Sequence, residues 1–122
     1  MNKYTTACLK TIQKILNIIT KSPVDFGRQK FRGVYVVVLV NVKAQDFEVK
    51  YIGTAVNIYK RTICKDHHYS ILYNQYSDNE DYNLVCFSIE CASNRIVIEE
   101  KLIKLFRPDL NVLHNTGKKR GL

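Results

Sequence analysis

The stretch Gly33-Val34-Tyr35-Val36-Val37-Val38-Leu39-Val40 decides the fold. It is apolar and β-branched almost throughout, which is typical of a strand buried on both faces. After the polar segment from Asn41 to Asp46, residues 47–52 alternate in character and end at Gly53. This second run predicts a strand that returns antiparallel to the first, so the two runs together predict a β-hairpin.

Downstream of the hairpin, the sequence predicts two helical or loop segments and one more strand. Residues 54–65 predict a short helix, and the polar and aromatic stretch 66–81 predicts a loop, or a loop with a weak helix. Residues 82–91 alternate again, with Val85, Phe87 and Ile89 on one face, and they predict a third strand. The last helix begins after a cap at Ser93 or Asn94 and ends near Phe106, where Arg107-Pro108 closes it.

Upstream of the hairpin, apolar residues repeat at the spacing of one helical face: Cys8, Leu9, Ile12, Ile15, Leu16 and Ile19. This spacing predicts an amphipathic helix that stops near Ser22-Pro23, and a basic connector follows from Gly27 to Gly33. The predicted fold is therefore a small α/β domain of the α+β type. It has a three-stranded antiparallel sheet flanked by helices, and an extra N-terminal amphipathic helix.

Composition limits the classes of function. The chain has 122 residues, and its 19 Lys and Arg against 11 Asp and Glu give a formal net charge of +8, which favours a partner that carries phosphate. The four cysteines form no C-x-x-C pair, so no zinc site is expected. The longest apolar run is too short to span a bilayer. We expect no membrane partner and an intracellular location, in the cytoplasm or in the nucleus of a host cell, with reduced thiols.

A helical wheel of the last helix places a carboxylate among apolar side chains. Glu99 falls inside the continuous arc and Glu100 falls at its edge; the arc consists of Ile96, Ile98, Leu102, Ile103, Leu105 and Phe106. An ionised carboxylate in such a place needs a cation, a metal or a hydrogen-bond donor. A structural ion pair and a functional site explain it about equally well from periodicity alone.

Three separated segments of the chain resemble the GIY-YIG nucleases. The first is Gly33-Val34-Tyr35, and the second is Tyr51-Ile52-Gly53, with Arg61 eight residues after its glycine. The third runs from Glu99 to Asn111 and contains a Leu-Ile pair and an Arg-Pro turn. Each tripeptide alone is weak, but the three segments in this order and spacing are specific.

The resemblance divides the chain into three parts. It covers residues 33–113 as a nuclease domain, preceded by the N-terminal helix and basic connector of residues 1–32 and followed by a basic tail, residues 114–122. It implies a metal-dependent endonuclease that hydrolyses phosphodiester bonds, on DNA in preference to RNA. Because the chain has little room for a separate DNA-reading domain, we expect sequence specificity to be weak or to come from loops, the N-terminal helix or a partner. A lone helix of this length is marginal in water, so the N-terminal helix must dock. We expect it to dock on its own domain in a monomer, with a homodimer through this helix as the alternative.

The resemblance also implies roles for individual residues. Glu99 would hold one Mg²⁺ or Mn²⁺ ion, Tyr35 would activate or position the attacking water, and Tyr51 would contact the phosphate or share that task. Arg61 would grip the phosphate, and Asn111 would orient Glu99 or a backbone group. Where the family often has an auxiliary histidine or basic group, this chain has Lys65, with His67 and His68 just beyond it.

Basic residues in three segments are candidates for nucleic-acid binding: Arg28, Lys30, Arg32, Lys60, Arg61, Lys118, Lys119 and Arg120. Two other functions compete with the nuclease. A nucleic-acid-binding module of the same fold that had lost turnover would normally show a substitution at Glu99, Arg61 or a motif tyrosine, and none is seen. A small RNA-binding domain of other ancestry would leave the spacing of the arginine and the glutamate unexplained.

Overall fold

The architecture is known from a computed structural model that describes residues 3–91 and 93–111. The elements in chain order are α1 (Lys3–Thr20), β1 (Val24–Phe26), β2 (Gly33–Asn41), β3 (Asp46–Ala55), α2 (Ile58–Thr62), α3 (His68–Tyr76), β4 (Tyr82–Glu90) and α4 (Arg95–Phe106). All four strands form one antiparallel sheet in the order β1-β4-β2-β3. The α+β class and the hairpin of β2 and β3 are thus confirmed. None of the helices in these ranges is long and apolar enough to cross a membrane.

The predicted number of strands is wrong, because the sheet has four strands rather than three. The additional strand, β1, has only three residues and pairs with β4 at one edge of the sheet. Val24 is buried, whereas Asp25 and Phe26 are exposed. Three residues are too few to show a period of two, so this strand left no recognisable pattern in the sequence.

Strand β2 lies in the middle of the sheet and is buried on both faces, as its composition predicted. Its residues alternate between two cores. One core lies under α1 and α4 and includes Val34, Val36 and Phe87. The other lies under α2 and α3 and includes Tyr35 and Val37. The first is called the α1/α4 face below, and the second the α2/α3 face.

Helix α1 packs on the sheet of its own chain. Leu9, Ile12 and Leu16 are buried in the core of the α1/α4 face, which confirms the apolar stripe predicted from their spacing. The helix begins earlier than predicted and ends at Thr20. Lys21 follows with a φ of +56° and donates its backbone N–H to the carbonyl oxygen of Asn17, as in a left-handed helix end.

A β-bulge interrupts the pairing of β2 with β3. Val37 pairs with Tyr51 and Val38 pairs with Val49, so Lys50 is the extra residue. Strict alternation would place Tyr51 on the face of Val49, but the bulge moves it to the opposite face. Val49 therefore packs in the α1/α4 core, and Tyr51 packs against the α2/α3 core.

The helices after β3 differ in length from the prediction. Because β3 continues to Ala55, α2 is reduced to the five residues Ile58–Thr62. The stretch predicted as a loop or weak helix contains α3, which has nine residues and buries Tyr69 and Leu72. Both helices cover the same face of the sheet, which is the face that carries Tyr35.

Helix α4 buries a narrower face than the predicted arc. Ile98 and Leu102 are buried, and Ile103 and Phe106 pack partly against the same core. Two members of the arc, Ile96 and Leu105, are about half exposed instead, at 49% and 58%. The helix begins after Asn94 as predicted, although the Asn94 side chain makes no capping hydrogen bond.

Candidate active site

The first motif tyrosine lies directly over the second motif glycine. Tyr35 on β2 pairs with Gly53 on β3, and the phenol ring covers the Cα of that glycine. A Cβ added to Gly53 would lie 2.6 Å from Cζ of Tyr35 and closer still to its hydroxyl oxygen. A Cβ at Gly33 would likewise collide with the backbone carbonyl of Ile89 on β4. Both glycines are therefore required by close approaches across the sheet.

The two motif tyrosines are neighbours on the α2/α3 face. The rings of Tyr35 and Tyr51 have their centroids 6.1 Å apart, and this contact depends on the bulge at Lys50. Tyr35 is only 1% exposed, whereas Tyr51 keeps part of its surface in solvent. Of the two hydroxyl-bearing rings, Tyr51 is thus the one that a bound molecule can reach more readily.

His67 is hydrogen-bonded through both ring nitrogens. Its Nδ1 accepts the backbone N–H of Tyr69 at 3.0 Å as the cap of α3, and its Nε2 lies 2.6 Å from the Tyr35 hydroxyl oxygen. A nitrogen that accepts a backbone N–H carries no proton, so the neutral ring has its proton on Nε2 and donates it to Tyr35. Burial lowers the pKa of His67 from 6.5 to about 4, with the Arg61 charge adding to the effect, so the ring is neutral at pH 7.

Arg61 and Glu99 bring opposite charges to this pair of phenols. Burial raises the pKa of Tyr35 far above 10, and Tyr51 and Glu99 raise it further while Arg61 opposes them. The pKa of Tyr51 is raised by burial and by Glu99, and it is lowered by Arg61 and by a hydrogen bond from Tyr35. The charges of Arg61 on α2 and Glu99 on α4 therefore act on the same two hydroxyl groups.

Asn111 fixes the strand that carries Tyr51. The Asn111 Oδ1 accepts the backbone N–H of Ile52 and its Nδ2 donates to the Ile52 carbonyl oxygen, both at 2.8 Å. These two groups point away from β2, on the open edge of the sheet. Of the two tasks expected for Asn111, orienting Glu99 or holding a backbone group, the described hydrogen bonds perform the second.

The predicted auxiliary residues lie in different places. Lys65 is exposed and lines a groove beside the site, while His67 occupies the position next to the phenols. The ring of His68 contacts the ring of Tyr51 in a tilted arrangement, with centroids 4.4 Å apart and an interplanar angle of 41°. The contact of His67 with Tyr35 was missed because the two residues are 32 positions apart, and periodicity does not report on such pairs.

Four of the eight predicted basic residues lie on or beside α2. Two backbone hydrogen bonds join the connector to this helix. The carbonyl oxygen of Gln29 accepts the N–H of Tyr59, and the carbonyl oxygen of Phe31 accepts the N–H of Ile58. This brings Arg28 and Lys30 to the ring of Tyr59, at 5.4 Å each, near Lys60 and Arg61 on the same helix. The side chain of Arg32 is exposed, and its carbonyl oxygen accepts the N–H of Cys91. Lys118, Lys119 and Arg120 lie outside the described residues.

The side chains that could coordinate a metal ion limit which cofactor the site could hold. Within residues 3–91 and 93–111, no group of three or more His, Cys, Asp or Glu side chains is placed to hold a metal ion. His67 is no candidate ligand because both of its nitrogens are engaged. Glu99 remains as a half-buried carboxylate beside two phenols. A single carboxylate suits a hard divalent ion that keeps most of its water, such as Mg²⁺, and does not suit zinc.

No family model matches the sequence, and neither a curated protein nor a solved structure was found to be similar to it.

Proposed function

We propose that this chain is a divalent-metal-dependent endonuclease that hydrolyses phosphodiester bonds, in DNA rather than RNA, through a site of the GIY-YIG type. One observation carries the proposal. Tyr35, Tyr51, Arg61 and Glu99 come from four separate elements, yet the charges of Arg61 and Glu99 both act on the paired tyrosine hydroxyls. The resemblance in sequence predicted the same four residues.

The cation of the proposed site is available to a phosphate. Arg61 is exposed on α2, next to Lys60, and its planar guanidinium can bind two phosphate oxygens at once. The positive charge of the chain would draw a polyanion toward this surface. Arg61 thus binds the phosphate of the substrate and supplies part of the positive charge that stabilises the transition state.

The two tyrosines have different roles because one is buried and the other reaches solvent. Tyr35 accepts a hydrogen bond from His67 and donates one toward Tyr51, and its raised pKa keeps it protonated at neutral pH. It therefore serves as a positioning residue. Tyr51 reaches solvent and is the residue that orients the attacking water or a phosphate oxygen. Neither phenol needs to ionise for this role.

The carboxylate of Glu99 is the residue that would hold a divalent ion. Such an ion would add positive charge at the phosphate and at the attacking water. Glu99 is only half-buried, so there is room for the water molecules that Mg²⁺ retains. His67 and Asn111 contribute indirectly, because they fix Tyr35 and the Tyr51 strand through the contacts described above.

The decisive experiment compares two neighbouring glutamates. Supercoiled plasmid is incubated with purified protein in Mg²⁺, in Mn²⁺ and in chelator, for wild type, Glu99→Gln and Glu100→Gln. We expect metal-dependent cleavage that Glu99→Gln abolishes, while plasmid binding and thermal stability change little. Glu100 is exposed one position along the same helix, so Glu100→Gln is the matched control and keeps activity.

Three results would contradict the proposal. Cleavage in chelator would exclude the metal dependence, and full activity of Glu99→Gln would exclude the carboxylate. If the wild type binds the plasmid tightly but never cuts it, then the alternative function is correct, namely a nucleic-acid-binding module that has this fold without turnover. Parallel assays with single-stranded DNA and RNA test the preference for DNA.

A further inference from the structure

An open groove lies beside the candidate active site, between the connector and helix α3. Its volume is about 330 Å³, at the small end of the range of roughly 300–1,000 Å³ that ligand sites occupy. The lining combines cations, aromatic rings and small polar groups: Arg28, Ile63, Lys65, Tyr69, Ser70, Tyr73 and Asn74. None of these side chains was given a role in the site proposed above, so that site does not explain the groove.

The floor of the groove is a prearranged stack of planar groups. The guanidinium of Arg28 lies 4.5 Å from the ring centroid of Tyr69, and Tyr69 in turn stacks on Tyr73 with an interplanar angle of 23°. Arg28 also lies 5.4 Å from the ring of Tyr59. Tyr73 closes the stack and is 51% exposed, so it offers an aromatic surface to solvent.

The charges in the groove are all of one sign. Arg28 and Lys65 line it, and no acidic side chain does. Arg28 lies against the rings of Tyr59 and Tyr69, and no ion pair between Arg28 and a carboxylate is found in the part of the chain that the structure describes. A half-buried arginine packed in this way keeps its charge and its donors for an anion.

We propose that this groove binds an unpaired nucleobase, which stacks on Tyr73 while Arg28 and Lys65 contact the adjoining phosphates. The inference rests on the proposed function, because it describes how that substrate is held. An aromatic ring beside cations is the arrangement with which proteins bind single strands without regard to sequence. The bases of an intact duplex present no such face, so the groove selects an unpaired, frayed or flipped nucleotide.

The position of the groove links it to the chemistry. Tyr69, at the centre of the stack, donates its backbone N–H to His67, and His67 contacts Tyr35. The charge of Arg28 also makes a minor contribution to lowering the pKa of His67, after burial and the charges of Arg61 and His68. A base held on Tyr73 would therefore lie on a helix that is joined, through His67, to one of the two tyrosines of the proposed site.

The test measures binding in chelator, where no cleavage intervenes. Fluorescence anisotropy is recorded for labelled oligothymidylate of about 12 nucleotides, the size that such sites span, and for oligouridylate, an abasic strand and a duplex of equal length. The abasic strand keeps the phosphates and lacks the bases. The variants are Tyr73→Leu, Tyr73→Phe and, as a matched control, Tyr82→Leu, which alters a tyrosine of the Tyr76–Tyr82 pair outside the groove.

We expect Tyr73→Leu to weaken binding of oligothymidylate roughly 5- to 150-fold, the effect of losing one stacked base. Tyr73→Phe and Tyr82→Leu keep the wild-type affinity, and Tyr73→Leu leaves the affinities for the abasic strand and the duplex unchanged. If Tyr73→Leu loses the same affinity for oligothymidylate and for oligouridylate, then the groove recognises the base and not the sugar. A loss of affinity for oligothymidylate alone assigns the groove to single-stranded DNA.

Two results overturn the inference. One is an unchanged affinity of Tyr73→Leu for oligothymidylate. The other result concerns the wild-type protein alone, and it is an equal affinity for the abasic strand and for oligothymidylate. Equal affinities would mean that no stacked base contributes to binding. Either result leaves the nuclease proposal intact if Glu99-dependent cleavage is observed. Conversely, Tyr73-dependent binding without any cleavage supports the groove and contradicts the nuclease.

Discussion

At the scale of single residues, the contact between Tyr35 and Gly53 gives a physical reason for two motif positions at once. The ring needs the space that a side chain would occupy. We expect Gly53→Ala to destabilise the fold by about 1–3 kcal/mol, the usual cost of overpacking, and to displace the Tyr35 hydroxyl. Chemical denaturation measures the first effect, and loss of cleavage reports the second.

A double-mutant cycle is the control for that prediction. In a Tyr35→Leu background, the methyl group of Gly53→Ala meets no phenol, so its cost should shrink by about 0.5–3 kcal/mol. Additive losses in the double variant would show that the glycine is required by its own backbone and not by the ring above it. Tyr35→Phe serves as a second background, since it removes only the hydroxyl oxygen nearest to the added carbon.

His67 makes the stability of the fold dependent on pH. Its pKa is about 4 in the folded chain against 6.5 in the unfolded one, so between these values the unfolded chain binds a proton that the folded chain does not. Stability is therefore fully present above pH 6.5 and falls as the pH is lowered toward 4, by about 3 kcal/mol. Asp66 acts against this shift, whereas Arg61, His68 and Arg28 favour it.

The variant His67→Asn tests this pH dependence. Asparagine keeps an acceptor for the cap of α3 but is too short to reach Tyr35. Denaturant unfolding at several pH values should show a flatter profile between pH 4 and 6.5 for the variant than for wild type. Identical profiles would mean that other groups cause the loss of stability in acid.

The residues of the site were predictable only where they belong to motifs. Tyr35, Tyr51, Arg61, Glu99 and Asn111 were named from spacing and resemblance. His67 was named only as one of three auxiliary residues, because its hydrogen bonds depend on how α3 packs against β2. Nor did the sequence show that Asn111 bonds to Ile52, which is 59 positions away.

At the scale of elements, strand β3 depends on Asn111 for its outer edge. Asn111 is 4% exposed, and its amide satisfies both backbone groups of Ile52. Asn111→Ala leaves a buried donor and a buried acceptor unpaired, so we expect a loss of about 2–4 kcal/mol and faster hydrogen exchange at the Ile52 amide. Asn79→Ala is the matched control, because Asn79 bonds a backbone N–H in an exposed turn.

Hydrophobic patterns that extend over many residues predicted whole helices and strands well, but they did not predict local irregularities. The continuous apolar run of β2 and the stripe of α1 were both interpreted correctly, since each pattern extends over many residues. The bulge at Lys50 is a matter of pairing between strands, and residues 47–52 look like regular alternation. This irregularity has the larger consequence, because it moves Tyr51 to the face where Tyr35 lies.

At the scale of the whole molecule, the packing of α1 bears on assembly. A seam between two helices would use the residues spaced 4, 3 and 4 apart, which are Cys8, Ile12, Ile15 and Ile19. Ile12 is buried against the sheet of its own chain, and Cys8 and Ile19 pack partly against the same core. An apolar stripe that is used within the chain is not available to a second copy. Helix α1 still exposes Ile18, so one apolar side chain at its end remains as a possible contact.

We therefore predict a monomer that nicks DNA. One chain offers one candidate site, and one site cuts one strand in each encounter. Sedimentation at micromolar concentration should give the mass of a single chain for wild type and for Ile18→Asp alike. Plasmid assays should show relaxed circles accumulating before linear molecules. A dimer that Ile18→Asp dissociates into folded single chains, or linear product formed without a relaxed intermediate, would contradict this prediction and assign the exposed end of α1 to self-association.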